Sequence, residues 1–363
     1  MRETLLSYFP MLSVAFAVAF ISVVAFVPQV RSFAVKVGAV QPGGGRRVHR
    51  GALPNIGGIA IFIGFLLAFL AGSLVRPELL DQYRVELLAV ILGGALMTLV
   101  GFIDDMWEVP PPMRLAAQFL AAGILVVNGV KIDFITNYFG GSGYLFFGET
   151  VAIAVTLIWV VGFTNAFNFI DGLDGLSSGI AAIASLSILT VAMQLPDRGA
   201  TVLLLAALAG AALGFLRHNF NPAKIIMGDS GAYMLGYVLA AVSVLGALKV
   251  TAALTVAAPI LILALPVINI TQVTVRRLKR GASPAVAAND HLHDLIRVRS
   301  GSKRLTVVIL WLCTLTLGAI GMMLSATPPA LMYLTLFITV FLLAAVCMLR
   351  LREVAQESRT TSL

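Results

Sequence analysis

The chain has 363 residues, 59% of them hydrophobic and 12% charged, with a mean hydropathy of +0.97 and a formal net charge of +8. That apolar share exceeds what a soluble domain carries and excludes disordered and fibrous classes. Two cysteines exclude a disulfide framework or a cysteine-based metal clip.

Runs of about 20 mostly apolar residues, the length that crosses a bilayer, recur along the whole chain. Eleven are read, near 11–30, 56–74, 85–103, 113–130, 150–165, 176–194, 200–216, 231–247, 251–274, 305–325 and 329–349. In lipid each segment must satisfy its own backbone, so these are helices. The expected fold is therefore an all-α polytopic membrane protein, one integral-membrane domain over 1–363 with about 11 transmembrane helices. The first run is too long for a signal-peptide core and Glu3 spoils a basic start, so an uncleaved helix is expected. Cys313 and Cys347 both fall inside runs and read as small core residues.

Eleven spans put the termini on opposite sides, so alternate loops share a face. Loops 31–55, 103–114, 165–175, 217–230 and 275–304 and the tail 350–363 hold 19 of the 25 Lys and Arg. Excess positive charge marks the cytoplasm, which makes the C-terminus cytoplasmic and leaves no need for nucleic acid to explain a pI near 9.8. Asp104, Asp105, Asp171, Asp174, Asp229, Asp290 and Asp294, and all four histidines, fall on that same face. Charge topology does not account for acids, which are costly at membrane ends unless they pair, line water or bind a cation. On the other face, 131–149 has alternating aromatics around Gly-Gly and reads as a short hairpin on the membrane surface.

In chain order the polar loops are distinctive. GGGRRVHRGALPNIGG (43–58) sets Arg46, Arg47, His49 and Arg50 among flexible glycines. GFIDDMWEVPPP (101–112) ends the third span on Asp104 and Asp105, where the negative end of the helix dipole disfavours acids unless a cation or basic ligand compensates. In NAFNFIDGLDGLSSGI (165–180), Asn165, Asn168 and Asp171 recur at intervals of three and so share one helical face. Asp174 follows, and the next helix opens on serines whose free N–H groups suit phosphate. NFNPAKIIMGDSGA (219–232) repeats the design with Lys224 and with Asp229 between glycines at a helix start. The long loop 275–304 adds eight basic residues and the pair His291 and His293; Arg276, Arg277, Lys279 and Arg280 read as ordinary cytoplasmic anchors. Carboxylates with phosphate oxygens and water are typical Mg²⁺ ligands, and phosphoryl transfer needs mainly positioning and charge neutralisation. The face reads as a Mg-diphosphate site.

The chain resembles the polyprenyl-phosphate N-acetylhexosamine-1-phosphate transferases, the WecA- and TagO-like enzymes and, more distantly, the MraY enzymes. The resemblance spans nearly the whole chain and rests on five ordered motifs, RRVHRGALPNIGG (46–58), GFIDD (101–105), NAFNFIDGLDGL (165–176), NPAKIIMGDSG (221–231) and DHLH (290–293). It implies transfer of a sugar 1-phosphate, N-acetylglucosamine foremost, from a UDP-sugar to polyprenyl phosphate in the cell membrane, with Mg²⁺ as cofactor and Mn²⁺ as an acceptable substitute. A homodimer is compatible with it. By motif position it implies that Asp104 and Asp105 handle the lipid phosphate or the metal, that Asp229 binds Mg²⁺ with Asp171 nearby, and that Asp171 shares in catalysis. Asn168, Asp174, Lys224, His291, His293, Arg46 and His49 would bind substrate. The chain departs from the pattern at Asp294, where relatives often have a further His, and at Asn269, where they often have Asp. Three competing readings are a MraY-like transfer of phospho-MurNAc-pentapeptide, a secondary transporter and a CDP-alcohol phosphotransferase. Transporter acids belong near the bilayer midplane, and here they stand at helix ends. The CDP-alcohol signature continues DGxxAR, whereas Asp174-Gly175 runs into Leu-Ser-Ser-Gly.

Overall fold

The computed structural model describes residues 2–41, 53–136, 144–195, 197–247, 263–279 and 291–324, with 339, 341, 343 and 344. Its helices are α1 (Arg2–Val37), α2 (Gly58–Val75), α3 (Glu78–Trp107), α4 (Pro111–Val127), α5 (Glu149–Ile170), α6 (Leu176–Ala192), α7 (Gly199–Asn219), α8 (Gly228–Ala247), α9 (Ala264–Lys279), α10 (Leu292–Ser300) and α11 (Lys303–Leu324). Two small antiparallel pairs join β1 (Val40–Gln41) to β2 (Leu53–Pro54) and β3 (Phe134–Thr136) to β4 (Tyr144–Phe146). The second pair agrees with the hairpin expected over 131–149.

The chain is a multi-pass membrane protein. Among the described residues seven helices, α1, α2, α3, α5, α7, α8 and α11, are long and apolar enough to cross a membrane. Seven of the eleven expected runs correspond to these helices, and the other four are not confirmed as spans. Runs 113–130 and 176–194 form α4 and α6, which are apolar but only 17 residues each, roughly 25 Å at 1.5 Å per residue. Pro110–Pro112 fix the start of α4, and Gly175 (φ 79°) sets the start of α6. The ninth run is described only from Leu263 onward, where α9 ends in Arg276, Arg277 and Lys279. The eleventh run lies outside the described residues except for four positions, and the tail 350–363 lies wholly outside them.

α7 and α8 are the buried centre, with α1 and α2 against α7, and α3 and α5 against α8. Side chains such as Leu74, Val127 and Ile158 point outward, at 82%, 86% and 69% exposure, as lipid-facing residues do. Cys313 is exposed on α11 and is not the core residue that its apolar run suggested. Cys347 is outside the described residues. The C-terminal ends of α3 and α5 meet the N-terminal ends of α6 and α8 on one face, and there the polar loops gather.

Candidate active site

The site is built where α3 ends and α8 begins. Gly101 on α3 and Gly58 at the start of α2 both face residues 230–231, so close that a Cβ on either would overlap the backbone of Ser230 or Gly231. Gly228 turns with φ 75° to open α8. This backbone-on-backbone contact brings the Asp105 carboxylate onto the first turn of α8: Oδ1 accepts the Asp229 N–H at 2.9 Å and Oδ2 the Ser230 N–H at 3.1 Å. The penalty expected for an acid at the end of α3 is thus offset by the positive end of α8. Its neighbour Asp104, 6% exposed, turns to other partners. It accepts from the Val109 N–H at 2.8 Å, Tyr233 Oη at 2.9 Å and Arg114 at 3.1 Å.

The 165–176 segment divides its polar residues among three tasks. Asn168 donates to Asp229 Oδ1, fixing that carboxylate from α5. Asp171 accepts from Ser177 Oγ at 2.6 Å. Asp174, 8% exposed, accepts from Asn221 Nδ2 at 2.9 Å and the Ala223 N–H at 3.2 Å, which ties the α5–α6 loop to the α7–α8 loop. Asn219 strengthens that tie, accepting from the Gly175 N–H at 2.9 Å and donating to the Ile225 carbonyl at 3.0 Å. Asn165, expected to share the ligand-facing register, instead pairs with Gln118 of α4 at 2.6 Å. A buried amide pair between two apolar helices satisfies both side chains at once.

α10 forms the remaining wall. His291 precedes it, stacked on His293 with ring centroids 5.3 Å apart and lying 5.5 Å from the Phe169 ring. His293 is 4% exposed and presses against Gly172, where a Cβ would collide with the imidazole. Burial pushes its pKa down to about 4 against the pull of the Asp294 carboxylate, whose Oδ2 lies 3.7 Å from Nε2. The other Asp294 oxygen is 3.7 Å from Arg297.

These walls enclose an open cavity of about 460 Å³. It collects Asp104, Asp105, Asn168, Asp171, Asp174 and Asp229, six of the residues singled out in the sequence. It does not collect Lys224, which is exposed, or His291 and His293, which stand behind its wall. Arg46 and His49 lie outside the described residues. Asn55, Glu108, Arg114, Asn219, Arg297 and Lys303, which no sequence motif marks as ligand contacts, also line the cavity. Arg114 had a legible signal, a lone cation just after a proline run beside two acids. Asn219 had none, because Gly175 and Ser178, the groups it ties to the α7–α8 loop, lie 44 and 41 residues away.

Among the described residues seven carboxylates and three cations face this space. Such an excess of negative charge repels phosphates unless a metal ion offsets it. Among the described residues no group of three His, Cys, Asp or Glu is arranged to hold a metal alone. Mg²⁺ commonly takes one or two carboxylates and completes its octahedron with water and substrate phosphates. Asp229 and Asp171 on the cavity wall suit that open kind of site.

The family model described as glycosyl transferase family 4 matches residues 87–247, which run from within α3 to the end of α8 and carry most of the cavity. The "Probable undecaprenyl-phosphate N-acetylglucosaminyl 1-phosphate transferase" of Bacillus subtilis is 31% identical over 333 residues, covering 91% of this chain and 87% of that protein. The decaprenyl-phosphate N-acetylglucosaminephosphotransferase of Mycobacterium tuberculosis is 34% identical, covering 80% of this chain and 77% of that one. The undecaprenyl-phosphate alpha-N-acetylglucosaminyl 1-phosphate transferase of Escherichia coli K12 is 26% identical, covering 90% and 88%. With relatives more than 30% identical over most of its length, the chain belongs to glycosyl transferase family 4, among the WecA/TagO-like polyprenyl-phosphate sugar-1-phosphate transferases.

Proposed function

We propose that this protein transfers N-acetylglucosamine 1-phosphate from UDP-N-acetylglucosamine to undecaprenyl phosphate, releasing UMP and starting a lipid-linked cell-envelope polysaccharide. The observation that carries this reading is the acidic cavity at the α3–α8 junction, open at helix ends where a lipid phosphate and a nucleotide can both arrive. An oxygen of the lipid phosphate attacks the β-phosphorus of the sugar nucleotide. The bond from that phosphorus to the α–β bridging oxygen breaks, and UMP carries the bridging oxygen away. The product is a polyprenyl diphosphate sugar.

Asp229 and Asp171 would hold Mg²⁺, or Mn²⁺ in its place, which supplies charge neutralisation on the diphosphate. Asn168 keeps the Asp229 carboxylate turned to the cavity. Asp104 holds the Arg114 guanidinium at the mouth between α3 and α4, where the exposed side chains of Trp107 and Met113 suit a polyprenyl chain. Arg297 and Lys303 supply cations on the wall built by α10 and α11 for the nucleotide diphosphate. The site and the C-terminus face the cytoplasm on this reading, which the 19 of 25 basic residues on that side support.

The test is purified full-length protein with undecaprenyl phosphate, a panel of UDP-sugars and Mg²⁺, reading UMP. UMP from UDP-N-acetylglucosamine, abolished by EDTA and restored by Mg²⁺, is expected. Release with another UDP-sugar alone, or EDTA-resistant turnover, overturns the substrate or the metal assignment respectively. A reporter fused after Leu363 that reads extracytoplasmic overturns the orientation.

A further inference from the structure

We propose that Asn269, on α9 and outside the cavity, is a positioning residue that fixes the donor-binding wall by capping α10 from a neighbouring helix; this rests on the transfer reaction proposed above. α10 has nine residues, from Leu292 to Ser300. A helix that short does not hold its own geometry in water, so its orientation depends on how its ends are fastened. The C-terminal end is secured locally: Gly301 (φ 69°) returns its N–H to the Arg297 carbonyl at 3.0 Å, and Ser300 Oγ bonds Thr306 Oγ1 of α11 at 2.8 Å.

The N-terminal end lacks the usual local device. His291 occupies the cap position with extended backbone but makes no side-chain cap bond. The cap comes from Asn269 instead, whose Oδ1 accepts the Leu292 N–H at 2.9 Å across 23 residues of chain. Asn269 is fully buried, and among the described residues its Nδ2 finds no hydrogen-bond partner. A buried amide that satisfies only one end opposes stability. Its acceptor end is what the fold uses, and that end acts on α10 alone.

The consequence lies three and six residues further on. Asp294 and Arg297, a turn apart on one face of α10, line the cavity, while His293 on the adjoining face rests on Gly172 of the Asp171–Asp174 loop. Each residue along an α-helix turns by about 100°, so even a partial rotation about the axis withdraws Asp294 and Arg297 from the cavity. The acids of α3 and α8 are fastened by separate bonds and stay in place. Loss of the cap therefore weakens the donor side of the site and spares the lipid side.

The experiment uses the full-length protein in detergent with Mg²⁺, undecaprenyl phosphate and UDP-N-acetylglucosamine. Asn269→Ala raises the KM for the UDP-sugar by about tenfold, the scale of one lost cap, and leaves that for undecaprenyl phosphate within about twofold. Asn269→Asp keeps the acceptor and restores most of the donor KM. Leu292→Pro removes the same bond from the other partner at a helix position that tolerates proline, so it gives the same split if the alanine variant does not fold. Unchanged donor KM in Asn269→Ala or Leu292→Pro, or an equal loss for both substrates without rescue by Asp, overturns the proposal. Absence of UMP release by the unaltered protein overturns the proposed reaction itself, a distinguishable result.

Discussion

Asp105 offers a clean contest between a structural and a chemical role. Its two oxygens receive the N–H groups of Asp229 and Ser230 at 2.9 and 3.1 Å, so it caps the helix that carries the central acid. Asp105→Asn keeps one acceptor but turns an NH₂ group toward the other backbone donor. Losing one hydrogen bond to a charged group, together with the charge at a helix N-terminus, costs about 2–4 kcal/mol. The protein should therefore unfold at lower temperature in detergent, followed by intrinsic fluorescence. Transfer should fall about 10²-fold as Asp229 loses its placement, since misplacing reacting groups by an ångström has that effect. Asp105→Ala should be worse on both counts. A thermal transition unchanged within a degree, with transfer abolished, refutes the cap and makes Asp105 a group that acts on substrate directly. Normal stability with normal turnover refutes both roles.

Asp104 and Arg114 should be coupled: each single change, Asp104→Asn or Arg114→Gln, destabilises, and the double variant loses less than their sum by about 1 kcal/mol, measured by denaturant unfolding. Additive losses would show that the 3.1 Å ion pair contributes nothing. Gly101→Ala should leave little folded protein on size exclusion, because the added methyl meets the Ser230 backbone and no side chain can move aside; a normal yield contradicts that contact. His293 titrates at about 4 when folded and near 6.5 when unfolded, so the unfolded chain binds more protons between those values. Its contribution is complete above pH 6.5 and declines toward pH 4 at up to about 1.4 kcal/mol per unit, and His293→Gln should flatten stability across that window.

The sequence made the site more legible than the membrane count. Acids beside helix-breaking glycines announce helix ends, and Asp104, Asp105, Asp171, Asp174 and Asp229 do meet in one cavity. Their partners were not legible, because Tyr233, Asn221 and Ser177 bond across loops with no periodic signal. The spacing of Asn165, Asn168 and Asp171 predicts one ligand-facing stripe, yet Gln118 on α4 claims the first of them. Apolar runs mark helices without marking their lengths: the first run suggests 11–30, whereas α1 extends over 36 residues through Pro10 and Pro28. In the other direction, α4 and α6 stop at 17 residues.

The glycine contact between Gly58, Gly101 and the start of α8 divides the ways in which this enzyme can change. Where backbone rests on backbone, no substitution offers an intermediate size, so the acidic half of the cavity is closed to gradual adjustment. The α10 half is fastened by single side-chain bonds, such as Leu292 to Asn269, that individual mutations can lengthen, exchange or remove. Shifts in the sugar accepted should therefore accumulate in α9 and α10, and selection for a new donor should recover changes there long before it recovers any at Gly58 or Gly101.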